Sequence, residues 1–363
     1  MEKEKCVSKS TVYEVSMINL SATYAQIKDK LDTIAFHELW PGFRRYDFAL
    51  YNDTQVVLND EILPKTDEFL ANTAILYKSK YTAIWYLTEE TDIEILTSKI
   101  VHEMFHAYQT EHKESRFPNE LEALLKYEYS PEYLNIKYQE NLLLASLCKS
   151  YYGAKFEEFL SLRKRRKTQF PYQYNYECSV EVIEGSAQYV ELKVLNTFSH
   201  EKYMKAQDRC LQRIRDINNL MPVRISCYDT GAMLLKVCLE NSLTVNTSVG
   251  KSTEYLLIDA AFDNIQSSTQ IFADSEIDDF YHAGIGAFRN KIDLIVEGRK
   301  PIVEGEFDLI GVNVYSAQYL DGYIYTEYLL IYKADEPITL YGNYLLKMKH
   351  SKITAIYMDS QNK

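Results

Sequence analysis

The 363-residue chain is long enough for one large domain or two ordinary ones, and its 46% hydrophobic content supplies a full core, which excludes a disordered chain. A formal net charge of −12 argues against nucleic acid or an anionic membrane surface as the principal partner, since both select a basic face. The opening "MEKEKCVSKSTVYEV" has no apolar core behind its charges, and no apolar run long enough for a membrane span follows. The chain as given is therefore expected to be cytoplasmic with no membrane partner, or to have lost a signal before this numbering begins. Its six scattered cysteines lack metal-ligand spacing and read as free thiols.

In chain order, "SATYAQIKDKLDTIAFHEL" carries apolar residues at helical spacing behind Ser21 and predicts a first helix. "YDFALYNDTQVVLNDE" and "NTAILYKSKYTAIWYL" read as two hairpins, turning at Asn52-Asp53 and around Lys78 to Lys80. Together they predict a small antiparallel sheet. From Asp92 to about Asn241 the period is helical, with breaks at Pro118, Pro131, Pro171 and Pro222. The basic run "LRKRRKTQF" within it reads as a solvated helix face. Beyond about Asp293 come short β-rich runs separated by turn signals. The fold class expected is α+β: a domain over residues 1–290, with a small sheet followed by a helical bundle, and a small β-rich unit over 291–363.

The chemistry concentrates in "SKIVHEMFHAYQTEH", residues 98–112. On a helix, Val101, Met104, Phe105 and Tyr108 share one apolar arc, and His102, His106 and Gln109 fall on the opposite side. Two imidazoles one turn apart can bind the same ion, and Glu103 projects beside them, where it can touch a water on that ion. A catalytic zinc needs a third protein ligand and an open position. Further on, "YECSVEVIEGSAQYVELKVL" has an apolar stripe and a parallel acidic one, Glu177, Glu181, Glu184, Gln188 and Glu191. Glu177 and Glu181 read as solvent-facing. Glu184 stands at the border of the stripes and precedes Gly185, which weakens a helix and points to close approach of another backbone.

His102, Glu103 and His106 match the HExxH pattern of the zinc metallopeptidases. "EGSAQYVE" resembles the EGxAxYxE signature of the gluzincin peptidases, the group that includes thermolysin-like enzymes and zinc aminopeptidases. "CYDTGAMLLKVCL" is similar to the Tyr-x-x-Gly-Ala stretch of the aminopeptidases. The resemblance covers three short motifs in the same order, and it implies Glu184 as the third zinc ligand and Tyr228 as the oxyanion-steadying hydroxyl. Tyr281 and His282 in "FYHAGIGAFRN" are rivals for that role, because thermolysin-like enzymes use a histidine there. A GxMEN-type strand is missing near "TAIWYLTEE", so exopeptidase specificity is not implied, and Gln188 stands where the thermolysin-type ExxxD has its aspartate. Glu181 or Glu191 could supply the carboxylate expected behind an imidazole.

The resemblance further implies a zincin-like fold, Zn2+ as cofactor, and hydrolysis of a peptide or protein substrate by a zinc-activated water with Glu103 as general base. It also implies that residues 82–86 line the cleft as the sheet's edge strand. Two other readings stay open: a catalytically silent binding or regulatory protein on the same scaffold, and a zinc hydrolase of a non-peptide bond. Oligomeric state and cleavage specificity have no signature in the chain.

Overall fold

A computed structural model of the chain describes residues 18–250, 265 and 271–359. It is a mixed α/β structure with an N-terminal five-stranded sheet, a helical body and a C-terminal antiparallel sheet. Helix α1 (Leu20–Leu31) starts at Asn19, whose side chain accepts from the Ala22 N–H, and buries Leu20, Tyr24, Ile27 and Leu31 at three- to four-residue spacing. The short α2 (Phe36–Leu39) follows.

The first sheet contains β1 (Asp47–Tyr51), β2 (Gln55–Leu58), β3 (Glu61–Pro64), β4 (Thr73–Tyr77) and β5 (Lys80–Tyr86), in the order β3-β2-β1-β5-β4. Its turns follow from local chemistry. Asn52 accepts from the N–H groups of Thr54 and Gln55 between β1 and β2. Positive φ at Asn59 and Asp60, and again at Lys78 and Ser79, matches the twist that tight hairpins need. The predicted antiparallel sheet requires one correction, because β1 and β5 run parallel, with Asp47 opposite Thr82 and Tyr51 opposite Tyr86. The connection from β3 to β4 carries the second hairpin round to the free side of β1, and its Phe69 covers Ala49, Tyr51, Val56 and Ile84 on the outer face. Phe48, Leu50 and Ala83 face α1 and the helical body. A second correction concerns the edge: β5 is interior, and β4 is the strand at the border.

The helical body comprises α3 (Ile93–Glu111), α4 (Glu120–Lys126), α5 (Pro131–Lys149), α6 (Gly153–Gln169), α7 (Pro171–Val180), α8 (Ser186–Phe198), α9 (His200–Arg215) and α10 (Val223–Glu240). Pro131 and Pro171 open their helices, where a missing N–H costs nothing. Pro222 precedes α10. Between α7 and α8 the chain makes one π turn, Glu181–Gly185, so the three pieces form one interrupted helix.

The expected solvent exposure holds for Lys167 but is overturned for Arg163 and Arg166 of the charge run, and for Glu177 and Glu181 of the acidic stripe. Arg163 and Arg166, three apart on α6, are 1% and 0% exposed, as are Glu181 and Glu177 at 1% and 0%. They pair inside the body. Arg166 bonds Glu140 at 2.7 Å and Glu177 at 2.8 Å, Arg163 bonds Glu181 at 2.7 Å, and Lys137 lies 2.9 Å from Glu177. Three cations and three carboxylates balance, which is what permits charges to stay so deep. Burial alone would raise Glu177, but Arg166 and Lys137 outweigh it and hold its carboxyl down at about 2.

The C-terminal sheet contains β6 (Val303–Val312), β7 (Gln318–Leu320), β8 (Tyr323–Thr326), β9 (Leu329–Lys333), β10 (Pro337–Tyr341), β11 (Tyr344–Lys349) and β12 (Lys352–Met358). All its pairings are antiparallel, in the order β10-β9-β6-β12-β11-β8-β7. One face packs Ile324, Leu330, Leu346 and Ile356 against Leu121, Leu124 and Leu125 of α4. The other packs Tyr325, Leu345 and Tyr357 against Phe288, Ile292 and Ile295 of α11 (Ser275–Gly298). The boundary expected at 290/291 falls inside α11, whose start, at Ile277 and Phe280, packs on the helical body. No helix among the described residues is long and apolar enough to cross a membrane.

Candidate metal centre

Helix α3 is capped by Asp92, which accepts from the N–H groups of Glu94 and Ile95. Its apolar arc of Val101, Met104, Phe105 and Tyr108 is anchored in the main core, which turns His102 and His106 toward α8. Opposite them, the π turn presents Glu184. Its backbone is pinned by glycine against glycine: a Cβ on Gly185 would lie 2.6 Å from Gly231 Cα on α10, and one on Gly231 would lie 2.9 Å from Gly185 Cα. The close approach expected at Gly185 is therefore this crossing of α10, and only residues without a side chain fit it.

The structure brings His102, His106 and Glu184 together, each offering a donor atom within 4.8 Å of the others. Glu184 Oε2 is 3.1 Å from His106 Nε2 and 3.7 Å from His102 Nε2. Bond lengths of 2.0–2.2 Å at a tetrahedral zinc put neighbouring donors roughly 3.3–3.6 Å apart, a range that these two separations bracket, so the cluster could hold a metal ion. The other ring nitrogens are engaged behind the site. His102 Nδ1 donates to Glu191 Oε2 at 3.1 Å, and His106 Nδ1 donates to Gln109 Oε1 at 2.8 Å. Gln109 in turn donates to the Ile183 carbonyl at 3.0 Å, which fixes its oxygen toward the imidazole. Both Nε2 atoms thereby face Glu184, where each could bind a metal once its proton is displaced. Of the two carboxylates expected as alternatives behind an imidazole, Glu191 takes the place; Glu181 is bound to Arg163 and accepts from the Thr230 hydroxyl at 2.7 Å.

The carboxylates around the imidazoles favour positive charge at this point. Burial would lower His102, yet its bonds to Glu184 and Glu191 push it up to about 10, and His106 is raised by Glu184 against the same burial. Glu184 is held well below the usual carboxylate range: burial opposes this, and the two imidazoles with Arg224 outweigh it. Arg224 Nη2 donates to Glu184 Oε1 at 2.9 Å, on the oxygen away from the imidazoles. Glu103, 9% exposed, has no ion-pair partner among the described residues, and burial raises its pKa.

These groups line a cleft of about 800 Å³, with Tyr228, Tyr315, Lys99 and, from the sheet, Ala71 to Ala74 and Trp85. Of the segment expected to line it, 82–86, only Trp85 does so; the edge strand β4 takes that position because β5 is interior. The Tyr228 ring lies parallel to His102 at 6.3 Å, and its hydroxyl is 2.8 Å from that of Tyr315. Burial and Glu184 push the Tyr228 hydroxyl well above its ordinary range, so it stays a donor. His282 is not brought here. It is exposed on α11 against Tyr281, about 140° round the helix from the face through Ile277 and Ile295 that is packed away. Tyr281 packs instead with Tyr133 and Leu134 of α5. Among the cleft residues that were not anticipated, Arg224 and Tyr315 bond Glu184 and Tyr228. Arg224 had a signal, standing four residues before Tyr228 and hence on the same helix face. Tyr315 had none, since it reaches the cleft from the C-terminal sheet.

Comparison with protein-family models, with curated proteins and with solved structures found no match to this chain.

Proposed function

We propose that the protein is a zinc-dependent peptidase of gluzincin type on a zincin-like scaffold. The observation that carries this reading is the convergence of His102, His106 and Glu184, donor atoms within 4.8 Å, beside the uncommitted carboxylate of Glu103. A zinc ion held by those three residues would supply a bound water acidic near neutral pH and a Lewis acid for the substrate carbonyl. Glu103 accepts the water's proton and delivers it to the leaving amine, a role suited to a carboxyl whose pKa burial has raised. The Tyr228 hydroxyl donates to the oxygen on which negative charge develops. Glu191 and Gln109 hold the imidazole tautomers, and Arg224 holds the second oxygen of Glu184. The outer edge of β4, which pairs with no further strand among the described residues, lies beside the cleft and favours a peptide, whose backbone adds there as a further strand.

A peptide library incubated with the metal-loaded protein is expected to be cleaved, with cleavage lost on chelation and restored by zinc. Glu103→Gln should keep the metal and lose cleavage by about 100-fold or more. Turnover that survives this substitution, or a library left intact by a protein carrying one zinc, overturns the reading.

A further inference from the structure

Beside the metal cleft lies a second cavity, of about 580 Å³, within the roughly 300–1,000 Å³ typical of small-molecule sites. It is walled by α4 and the start of α10, by one face of α11, and by the segment joining β6 to β7. Phe280, Gly284 and Phe288 of α11 recur every four residues and so present a single surface to it. Four of its six tyrosines have hydroxyls bonded elsewhere and offer their rings. Tyr127 donates to Glu177 at 2.6 Å, Tyr176 to Glu120 at 2.8 Å and Tyr325 to Asp359 at 3.1 Å, while Tyr129 accepts from the Val223 N–H at 3.0 Å. With those hydroxyls engaged, the lining is suited to the face or edge of another aromatic ring. Gly284 keeps the space open, since a Cβ there would meet only Met221 Cε, at 3.4 Å.

The cavity adjoins the metal cleft, because Arg224 and Tyr315 line both. Arg224 is bonded to Glu184, and its guanidinium lies 5.4 Å from the Tyr228 ring and 5.5 Å from that of Tyr315. Tyr315 is in turn within hydrogen-bond distance of Tyr228. A chain lying along the cleft therefore passes next to the cavity at Arg224 and Tyr315, the residues beside Glu184 and Tyr228.

We propose that this cavity is a specificity pocket that receives an aromatic side chain of a peptide whose backbone occupies the metal cleft, with Arg224 and Tyr315 as the shared wall. The assignment rests on the peptidase reading above. It makes the C-terminal sheet part of the substrate site, since residues of β6, β7 and β8 and the segment joining β6 to β7 line the pocket.

Gly284→Leu fills the cavity at a helical position where leucine is the better helix former. Ala287→Trp, at the exposed rim, is a second filler should the first fail to fold. Zinc-loaded, full-length Glu103→Gln protein is titrated with N-acetylphenylalaninamide and N-acetylalaninamide. The aromatic probe is expected to bind about tenfold or more tightly, and either filler should abolish the difference. In the active protein, library cleavage should favour an aromatic residue at one fixed position from the cut bond, and a filler should lower the aromatic-to-alanine ratio of kcat/KM by about 10- to 100-fold. Equal binding of the two probes, or an aromatic preference untouched by both fillers, overturns the pocket. Aromatic-selective binding that the fillers remove, in a protein that cleaves no peptide, refutes the peptidase reading and leaves the cavity as an aromatic-binding site.

Discussion

Replacing Glu191 with alanine isolates the part the protein plays in setting the His102 tautomer. The carboxylate accepts from His102 Nδ1 at 3.1 Å, and its other neighbour, Lys99, is 3.8 Å away with a side chain 42% exposed, so Lys99 loses little when Glu191 goes. Without the acceptor, the imidazole proton is free to sit on Nε2, the nitrogen that faces Glu184. Removing such a partner typically costs about 10- to 100-fold in metal affinity, or about 1.4–2.7 kcal/mol. Glu191→Gln keeps an oxygen acceptor and should lose less than about tenfold. Competition for zinc against a chromophoric chelator reads the affinity, and a melting curve checks that the fold is intact. Wild-type affinity in the alanine variant, or equal losses in both variants, would refute the reasoning.

Gly185→Ala should destabilise the fold by about 1–3 kcal/mol and weaken zinc binding together, because the new methyl meets backbone that cannot yield without parting α8 from α10; an unchanged denaturation midpoint contradicts this. Arg166→Ala leaves Glu140 and Glu177 charged and buried, and should cost about 3–5 kcal/mol in chemical denaturation with no loss of metal stoichiometry in the fraction that folds. In metal-free protein, His102 is raised from 6.5 to about 10 by Glu184 and Glu191 acting against burial, and His106 is raised in the same direction. A group raised on folding stabilises fully below its unfolded value and ceases to do so as pH climbs through its folded one, so the metal-free melting midpoint should fall between pH 6.5 and about 10. Zinc affinity should rise over the same window, because binding displaces those protons. A metal-free midpoint that rises there would count against the assigned ion contacts.

Much of the local architecture was legible because it depends on near neighbours. Asn52-Asp53 and the Lys78–Lys80 turn carry their hairpin chemistry within a few residues, and the apolar arc of α3 dictates which way His102 and His106 face. Gly185 was informative for the same reason, as a residue that weakens a helix in the middle of one. What could not be read depends on partners distant in the chain. Arg163 and Arg166 look like a solvated face until Glu140 and Glu177 arrive from two other helices to neutralise them. The place of β4 at the sheet edge follows from the parallel pairing of β1 with β5, which no local pattern encodes. Tyr315 and the β6–β7 wall reach the cleft only because α4 and α11 grip the two faces of the C-terminal sheet.

Diffraction at the zinc absorption edge, on crystals of protein purified without added metal and then given one equivalent, tests the central claim most directly. A single anomalous peak bonded to His102 Nε2, His106 Nε2 and one oxygen of Glu184, at about 2.0–2.2 Å with a fourth position left to solvent, is the predicted result. Zinc bound elsewhere, or a Glu184 side chain turned away from both imidazoles while they hold the ion, would contradict it.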